Sequence, residues 1–422
     1  MIPAGFVQEL LARTDIADVV GRHVQLRKAG ANLVGLCPFH AEKTPSFNVN
    51  PARQFYHCFG CGASGDAIRF LTEHLGLSFV DAVHELAQHA GLAVPDDDVT
   101  PEQRERAARQ REHHATLAGV LETAAAHYAR QLRTSARAID YLKRRGLSGE
   151  VAARFRLGYA GDGWRGLASV FARYDDPLLA EAGLVVVNTD DDGGERRYDR
   201  FRDRIMFPIR SVKGDVIAFG ARVIDAGEPK YLNSPETPLF SKGRELYGLY
   251  EARQALRARG YARVVEGYMD VVALAQSGLP NAVATLGTAC TAEHVAKLFR
   301  HTDDVVFAFD GDAAGRRAAG RALEASLPHA ADLRRVRFLF LPPEHDPDSY
   351  VRAKGLDAFE QLVDAAVPLS RQLVEQAGDG LDLTTAEGRA ALLARARPLW
   401  EALPAGALRE QVLADLAERA RT

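Results

Sequence analysis

The sequence predicts a multidomain α+β protein: an N-terminal zinc-binding domain, a mixed α+β region, a parallel α/β sheet and a helical C-terminal region. Three of the four cysteines fall between Cys37 and Cys61, which favours a metal site over a disulfide framework. From Tyr261 onward, short apolar strands alternate with helices, a pattern typical of parallel sheets with crossover helices. The length of 422 residues exceeds what one ordinary core supports, so several domains are expected.

The composition excludes a disordered chain and a membrane span. Hydrophobic residues make up 47% of the chain and charged residues 26%, which is enough to build packed cores. No run of about 18 apolar residues appears, and the N-terminus has no basic-then-apolar secretory pattern. We therefore expect a cytoplasmic protein that does not enter a membrane. The formal net charge of −3 argues against a nucleic-acid partner only if the charge is evenly spread.

Residues 1–95 are predicted to form the zinc-binding domain, built of antiparallel strands with helices. Two residues separate Cys37 from His40, two separate Cys58 from Cys61, and 17 lie between the pairs. Four sulfur and nitrogen ligands suit tetrahedral zinc, and because they leave no open position the ion should be structural. The alternative is that these are merely small buried residues. His57 should point away from the pair if its segment is extended.

Aromatic side chains surround the proposed zinc ligands. Phe47, Phe55, Tyr56 and Phe59 alternate with basic residues such as Arg53. On a small zinc domain, such aromatics can stack on single-stranded bases. The alternative is that they form the core of the domain.

A linker is predicted at 96–112, where Pro95, three aspartates and Pro101 break any regular pattern, before a charged segment becomes an amphipathic helix. Residues 113–258 then form a basic α+β subdomain. Residues 196–244 hold 11 basic and 6 acidic side chains, a net charge of +5, so the rest of the chain carries −8. Cations alternate there with aromatic and polar groups, as a groove along a phosphate backbone requires. The alternative is a solvated surface.

Acidic residues follow the strands of the parallel sheet predicted over 259–350. The carboxyl ends of parallel strands form a ligand crevice, and clustered carboxylates there need cations such as magnesium or manganese. Each aspartate alone could instead be a loop or N-cap residue. Two or more such ions would support phosphoryl or nucleotidyl transfer. No P-loop motif occurs in the sequence, and residues 351–422 are predicted to be helical. The predicted ligands of these ions are Glu266, Asp270, Asp310, Asp312, Asp346 and Asp348.

Several segments match one known family, in the family's order and along nearly the whole chain. They are CPFH, EKTPSF, HCFGC, FRDRIMFPI, PKYLNSPET, EGYMDVVAL, LGTA, DGDAAGRRAA and DPDSY. Through these segments the chain closely resembles the bacterial replicative DNA primases of the DnaG type. The resemblance implies an N-terminal CHC2 zinc ribbon that reads single-stranded template, and an RNA polymerase domain over 113–422 with a Toprim subdomain at its centre.

The resemblance also implies roles for individual residues. The six carboxylates would bind the catalytic metals, with Glu266, Asp310 and Asp312 as the catalytic residues. Glu266 is the candidate for proton transfer, or it serves only as a metal ligand. A basic ridge would guide the template–primer duplex and the triphosphates. This basic ridge comprises Arg200, Arg202, Arg222, Lys230, Tyr231, Asn233 and Lys242.

The expected function is the synthesis of short RNA primers on single-stranded DNA from ribonucleoside triphosphates, a nucleotidyltransferase reaction. The expected partners are the template, the RNA–DNA primer duplex and the triphosphates, bound by a monomer at the replication fork in the nucleoid. The family normally continues into a helical domain that docks on the replicative helicase. We expect that domain to be absent here, so no residue is assigned to helicase binding.

Two other functions compete with primer synthesis. A Toprim topoisomerase or nuclease would use a similar acidic cluster, although a topoisomerase also needs a separate domain with a tyrosine nucleophile. DNA cleavage or a covalent DNA adduct would reveal it. A non-catalytic zinc-ribbon DNA-binding protein is the second rival, and it would not incorporate ribonucleotides on a single-stranded template.

Overall fold

The computed structural model describes residues 2–40, 42–92, 94, 101–189, 194–225 and 227–421. The start of the predicted linker, residues 96–100, lies outside the described residues. The chain divides into two compact units. The first unit comprises Met1–His113 and Arg253–Arg259, and the second comprises His114–Ala252 and Gly260–Thr422.

The first unit contains a five-stranded antiparallel sheet, in the order β1-β2-β3-β4-β5, with short helices. Its last two helices begin at side-chain caps: Asp66 and Ser78 each accept a hydrogen bond from a backbone N–H of the helix that follows. The elements are α1 (Ala4–Arg13), α2 (Ile16–Gly21), β1 (Arg27–Ala29), β2 (Asn32–Gly35), β3 (Phe47–Asn50), β4 (Phe55–Cys58), β5 (Ser64–Gly65), α3 (Ala67–Leu75) and α4 (Phe79–His89).

Successive side chains of β3 and β4 point to opposite faces of the sheet, and this alternation decides which aromatic residues enter the core of the first unit. Phe47 pairs with Cys58 and Val49 with Tyr56, so the side chains on this face are buried. Phe55 and Phe59 are 42% and 74% exposed. Of the four aromatics in question, two therefore build the core and two remain exposed.

The N-terminal half of the second unit contains a four-stranded antiparallel sheet, in the order β11-β10-β9-β6, and a separate β7-β8 hairpin. Nearly every residue of β9 and β10 is buried, which suits strands covered on both faces. Helix α5 crosses the division between the two units. The elements are α5 (Pro101–Thr134), α6 (Ala136–Arg144), α7 (Gly149–Arg154), β6 (Gly158–Ala160), α8 (Pro177–Glu181), β7 (Val185–Thr189), β8 (Glu195–Asp199), β9 (Arg204–Arg210), β10 (Val216–Val223) and β11 (Tyr231–Asn233).

The C-terminal half of the second unit begins with a sheet in the order β13-β12-β14-β15-β16, whose first four strands are parallel. Its strands are short and apolar and alternate with helices, as the sequence predicts. The predicted fold class is confirmed. Helix α9 (Leu249–Arg259), which precedes the sheet, crosses the division between the two units as α5 does. The elements that follow it are β12 (Ala262–Val265), α10 (Tyr268–Gln276), β13 (Ala282–Ala284), α11 (Ala292–Leu298), β14 (Asp304–Phe309), α12 (Ala313–Ser326), β15 (Arg335–Phe340), α13 (Pro347–Lys354) and α14 (Leu356–Asp364).

The predicted helical region after the sheet contains a strand as well. Val367 and Pro368 form β16, which pairs antiparallel with β15. Helix α14 ends at Asp364, and Pro368 disfavours helical geometry in the residue before it, Val367, which is extended. Three helices follow: α15 (Leu369–Gly378), α16 (Ala386–Glu401) and α17 (Ala407–Ala420). Among the described residues, no helix has the length and apolar character needed to cross a membrane.

Candidate active site and zinc centre

Three adjacent parallel strands deliver carboxylates to one edge of the sheet. Glu266 directly follows β12, and Asp310 directly follows β14, its neighbour. On the other side of β14, β15 leads through a short loop to Asp346 and Asp348 at the start of α13. This edge is the carboxyl end of the strands, where open α/β sheets place their ligand sites.

The backbone holds several of these carboxylates in place. Asp312 caps α12 and accepts a hydrogen bond from Gly315 N–H at 2.7 Å, and Asp346 caps α13 in the same way. Asp270 accepts from the Gly267 N–H at 3.1 Å. Asp312 and Asp346 therefore act as N-caps, which is the alternative that the sequence analysis gave for each aspartate. Capping occupies one oxygen of each carboxylate, so it is compatible with a ligand on the other.

The carboxylates lie close enough to oppose each other's ionisation. Burial, followed by the charges of Asp346, Asp310 and Asp348, raises the pKa of Asp270 to about 7. Burial and then Asp310 also raise the pKa of Glu266, although the Asp310 N–H donates a hydrogen bond to its carboxylate. Without cations, so many carboxylates in one place are unfavourable.

Two glycines, Gly311 in the loop after β14 and Gly315 in the first turn of α12, permit backbone approaches that no side chain would allow. A Cβ atom on Gly311 would lie 2.1 Å from the carbonyl oxygen of Leu341. A Cβ atom on Gly315 would lie 2.0 Å from the carbonyl oxygen of Asp310. Both contacts are with backbone, which has little freedom to move. The loop that carries Asp310 and Asp312 is therefore packed directly on its neighbours.

Three arginines that the sequence analysis missed lie beside the carboxylates. Burial raises the pKa of Asp348, and the charges of Arg352 and Arg145 oppose this rise. Arg352 forms an ion pair with Asp348 at 2.6 Å, and Arg321 acts on Glu266. The i, i+4 spacing of Asp348 and Arg352 on a helix could have revealed that pair. Nothing in the sequence around Arg145 indicates its position.

The basic ridge reaches the carboxylates at Tyr231. The buried Arg222 donates a hydrogen bond to the Tyr231 hydroxyl at 2.8 Å and lies over its ring. Burial raises the pKa of Tyr231, Arg222 lowers it and Asp270 raises it, so this phenol lies near both charges. The exposed Lys230 directly precedes β11.

Asn233 joins the antiparallel sheet to the parallel one. Its side chain accepts a hydrogen bond from the Tyr268 hydroxyl at 2.6 Å and donates to the Leu286 carbonyl at 2.8 Å. Its own carbonyl accepts from the Arg200 guanidinium at 3.1 Å. Through these contacts Arg200 and Asn233 hold the basic ridge against the parallel sheet.

The last two residues of the basic ridge lie elsewhere in the second unit. Arg202 donates to the Asp199 carbonyl, and its guanidinium lies over the ring of Trp164. The backbone of Lys242 is held by His294, whose Nε2 lies 2.9 Å from its carbonyl oxygen. None of the contacts described for Arg202 or Lys242 involves a carboxylate of the cluster.

The four zinc ligands predicted from their spacing converge in the first unit. One ligand atom of each of Cys37, His40, Cys58 and Cys61 lies within 4.8 Å of all the others. The sulfurs of Cys37 and Cys61 are 3.8 Å apart, the separation that a tetrahedral ion with Zn–S bonds of about 2.3 Å gives. His57 packs on Phe59, with ring centroids 4.6 Å apart, and is not a member of the cluster.

Glu42, which the sequence analysis did not single out, organises this cluster. Its carboxylate accepts hydrogen bonds from the backbone N–H groups of Cys37 and Ser46 and lies 3.3 Å from Nε2 of His40. Nδ1 of His40 is the atom that faces the Cys58 sulfur. Burial opposes ionisation of Cys58, but hydrogen bonds led by that from Ser46 lower its pKa to about 7. Such partners of metal ligands fix their orientation.

Comparison with sequence families assigns most of the chain. Residues 2–102 match the CHC2 zinc finger, residues 127–253 match the N-terminal domain of the DNA primase catalytic core, and residues 260–337 match the Toprim domain. The DNA primase of Neisseria meningitidis serogroup A is 52% identical over 409 residues, which cover 97% of this chain and 68% of that protein. This chain belongs to the DNA primase family. The predicted enzyme class, an RNA polymerase of the primase type, is confirmed.

Solved structures of the family agree with this assignment. The Aquifex aeolicus primase, with its zinc-binding and RNA polymerase domains, is 31% identical with a TM-score of 0.62, and the match covers 99% of this chain and 97% of that one. A DnaG primase catalytic domain bound to ssDNA is 45% identical with a TM-score of 0.68, covering 74% of this chain and 98% of that one.

The expectation that the helicase-binding region is absent is wrong. Residues 370–422 match the DnaB-helicase binding domain of primase, so the chain contains this region. All the segments that identified the family end by Tyr350, and beyond them the sequence shows only helical periodicity. Periodicity predicts that a segment is a helix but not which domain the helix belongs to.

Proposed function

We propose that the carboxylate cluster carries out the nucleotidyl transfer of primer synthesis. A hydroxyl of one ribonucleotide attacks the α-phosphate of the next, the new phosphodiester bond forms, and pyrophosphate leaves. One observation carries this proposal: Glu266, Asp270 and Asp310 gather at the ends of adjacent strands with raised pKa values. Such an arrangement is unstable by itself and suits a site that works with cations.

The donor set fits magnesium or manganese. Carboxylate oxygens are the hard ligands that these ions prefer, and ions held this way also share phosphate oxygens with a substrate. The residues that would hold them are Glu266, Asp270, Asp310, Asp312, Asp346 and Asp348. When bound, the ions lower the pKa of the attacking hydroxyl and neutralise charge on the phosphates.

The protein's own side chains supply positioning and proton acceptance. Glu266 is the candidate acceptor for the hydroxyl proton, because its pKa is raised towards neutral pH. The Asp310 N–H that bonds to it fixes the direction of its carboxylate. Arg222 and Tyr231 lie next to the cluster, where they can hold the triphosphate by charge and hydrogen bonds.

The remaining ridge is assigned to the template. The related catalytic domain bound to ssDNA supports this assignment, as does the net charge of +5 over residues 196–244. A chain that primes DNA synthesis works in the cytoplasm, at the replication fork. The zinc ion would be structural, since all four of its positions are taken by protein ligands.

Substitution of Asp310 tests the proposal. Asp310→Asn keeps the size of the side chain but removes its charge, and we expect ribonucleotide incorporation on single-stranded template to fall by at least about 10²-fold. Asp357→Asn is the matched control, because Asp357 is exposed in the first turn of α14. Manganese binding, followed by electron paramagnetic resonance, should weaken in the first variant only.

Unchanged incorporation by the Asp310→Asn protein would overturn the assignment of the cluster. DNA cleavage or a covalent adduct with tyrosine in the wild-type protein would instead favour the topoisomerase or nuclease alternative. If the wild-type protein binds manganese tightly but incorporates no ribonucleotide, the cluster is a metal site and the proposed reaction is wrong.

A further inference from the structure

A buried tyrosine joins the antiparallel sheet of the second unit to the carboxylate cluster. Tyr268 is 4% exposed and is the first residue of α10, two residues before Asp270. Its ring stacks on that of Phe207, with centroids 5.5 Å apart and 17° between the planes. Its hydroxyl donates a hydrogen bond to the Asn233 side chain at 2.6 Å. One side chain of α10 therefore contacts two strands of the antiparallel sheet, β9 and β11.

These contacts follow one row of paired residues across the antiparallel sheet. Gly220 of β10 pairs with Asn233 on one side and with Phe207 on the other. Opposite residues of antiparallel strands point to the same face, so the three lie side by side. A Cβ atom on Gly220 would lie 2.5 Å from the Tyr268 ring, so the glycine leaves the space that the ring fills. We call Phe207, Gly220 and Asn233 the Tyr268 socket.

The hydroxyl distinguishes Tyr268 from an ordinary core aromatic. Burial raises the pKa of this phenol, so it keeps its proton and acts as the donor to Asn233. The Asn233 amide in turn donates to the Leu286 carbonyl at 2.8 Å. A phenylalanine would fill the same space but would leave the Asn233 oxygen without this donor. A lost hydrogen bond of this kind changes an equilibrium constant by about fivefold to tenfold.

The socket lies between the two halves of the proposed reaction site. Arg222 and Tyr231 pair with each other two residues along their strands from the socket, and therefore share its face of the sheet. The ring of Tyr231 lies 6.2 Å from that of Tyr268. On the other side, Asp270 lies in the same first turn of α10 as Tyr268. The seat of this one ring therefore sets how far the carboxylates lie from Arg222 and Tyr231.

We propose that Tyr268 is a positioning residue for nucleotidyl transfer, which holds the metal-binding carboxylates in line with the groups that hold the triphosphate. This inference rests on the proposed function and names the contact that joins its two halves. Ions held by carboxylates share phosphate oxygens with the substrate. The two sets of ligands can act on one triphosphate only at the right separation, and small misplacements of reacting groups are costly.

Tyr268→Phe tests this role, because it keeps the ring and removes only the hydrogen bond. In ribonucleotide incorporation on single-stranded template, we expect kcat to fall about tenfold and KM for the ribonucleotide to change less than about twofold. Both sets of ligands remain in this variant, and only their relative position is freed. Manganese binding without nucleotide, followed by electron paramagnetic resonance, should be unchanged, and excess manganese should not restore the rate.

Variants of the socket test its geometry independently. The atoms of Tyr268 nearest to a Cβ on Gly220 are Cζ, Cε2 and the hydroxyl oxygen, all at the far end of the ring. Gly220→Ala should therefore displace the ring and lower kcat at least as far as Tyr268→Phe does. Leucine lacks these outer atoms, so in a Tyr268→Leu protein the change Gly220→Ala should cause no further loss.

Tyr261→Phe is the matched control. Tyr261 precedes β12, at the opposite end of this strand from Glu266, and its hydroxyl donates a hydrogen bond to Glu360 at 2.6 Å. The control therefore loses a hydrogen bond of the same length in the same sheet, away from the carboxylates. We expect the two tyrosine variants to lose similar stability in urea unfolding and only Tyr268→Phe to lose kcat.

The results separate this inference from the proposed function. A Tyr268→Phe protein with the kcat of wild type, or a loss of kcat that Tyr261→Phe matches, would overturn the inference and leave primer synthesis standing. So would weaker manganese binding with a rate that excess manganese restores, because Tyr268 would then support the metal ligands alone. A full additional loss from Gly220→Ala in the Tyr268→Leu protein would also contradict the socket. Absence of incorporation by wild type would overturn the proposed function and this inference together.

Discussion

Replacing Gly315 by alanine should damage both the stability and the activity of the second unit. The new Cβ would lie 2.0 Å from the carbonyl oxygen of Asp310, more than an ångström inside normal contact, and both partners are held by backbone. Overpacking of this kind costs about 1–3 kcal/mol. Relief of the clash would move Asp310 and Asp312, and a shift of about 1 Å in a catalytic group can cost about 10²-fold in rate.

Gly320→Ala on the same helix is the matched control. Its Cβ would meet only the end of the Gln376 side chain, at 3.2 Å, and that end can move. Alanine is a better helix former than glycine by up to about 1 kcal/mol. Because both glycines lie in α12, this gain is common to the two variants, and we expect them to differ by the overpacking cost of about 1–3 kcal/mol in the free energy of unfolding, with Gly320→Ala the more stable.

Urea unfolding followed by tryptophan fluorescence measures this difference, because Trp164 and Trp400 both lie in the second unit. Primer synthesis on single-stranded template gives the activity. The reasoning fails if the Gly315→Ala protein matches Gly320→Ala in both measurements. It also fails if Gly315→Ala loses stability but keeps full activity, because the loop would then tolerate the displacement.

Two further outcomes are expected. Removal of zinc by a strong chelator, or the substitution Cys61→Ser, should unfold the first unit. The unfolding transition of the second unit, which tryptophan fluorescence reports, should remain. Circular dichroism and fluorescence, measured together, check this. Burial lowers the pKa of His294 in the folded protein, so below about pH 6.5 the unfolded chain binds a proton that the folded protein does not. Stability that is present above about pH 6.5 should therefore be lost as the pH falls. The urea midpoint measured from pH 8 to 5 should fall for wild type and change less for His294→Gln.

Local patterns explain why much of the fold could be predicted. Strands such as Asp304–Phe309 are short and apolar, and helices such as Ala313–Ser326 begin at a capping aspartate. The zinc ligands come in two closely spaced pairs, and their spacing within each pair allows convergence on a single ion. In each case the signal lies within a few residues of sequence. Tertiary packing is not needed to detect it.

The parts that could not be predicted depend on tertiary contacts. Arg145 acts on Asp348, which is about 200 residues away in sequence, and the motifs that identify the family do not include it. Trp164 is brought to Arg202 by the hydrogen bond between its carbonyl and Asp199. The aromatics of the zinc domain could not be sorted into core and surface residues until the register of β3 and β4 was known.

The second unit carries both a cluster of carboxylates and a basic ridge, and the charge of each accounts for the presence of the other. A triphosphate is repelled by a cluster of carboxylates, and the cluster repels itself, as the raised pKa of Asp270 shows. Arginines relieve this in part, because Arg352 pairs with Asp348, Arg145 acts on both Asp348 and Tyr231, and Arg321 acts on Glu266. At Asp270 and Asp310, the leading charges are those of other carboxylates. Cations and substrate should therefore bind more tightly together than either does alone, because each reduces the charge that opposes the other.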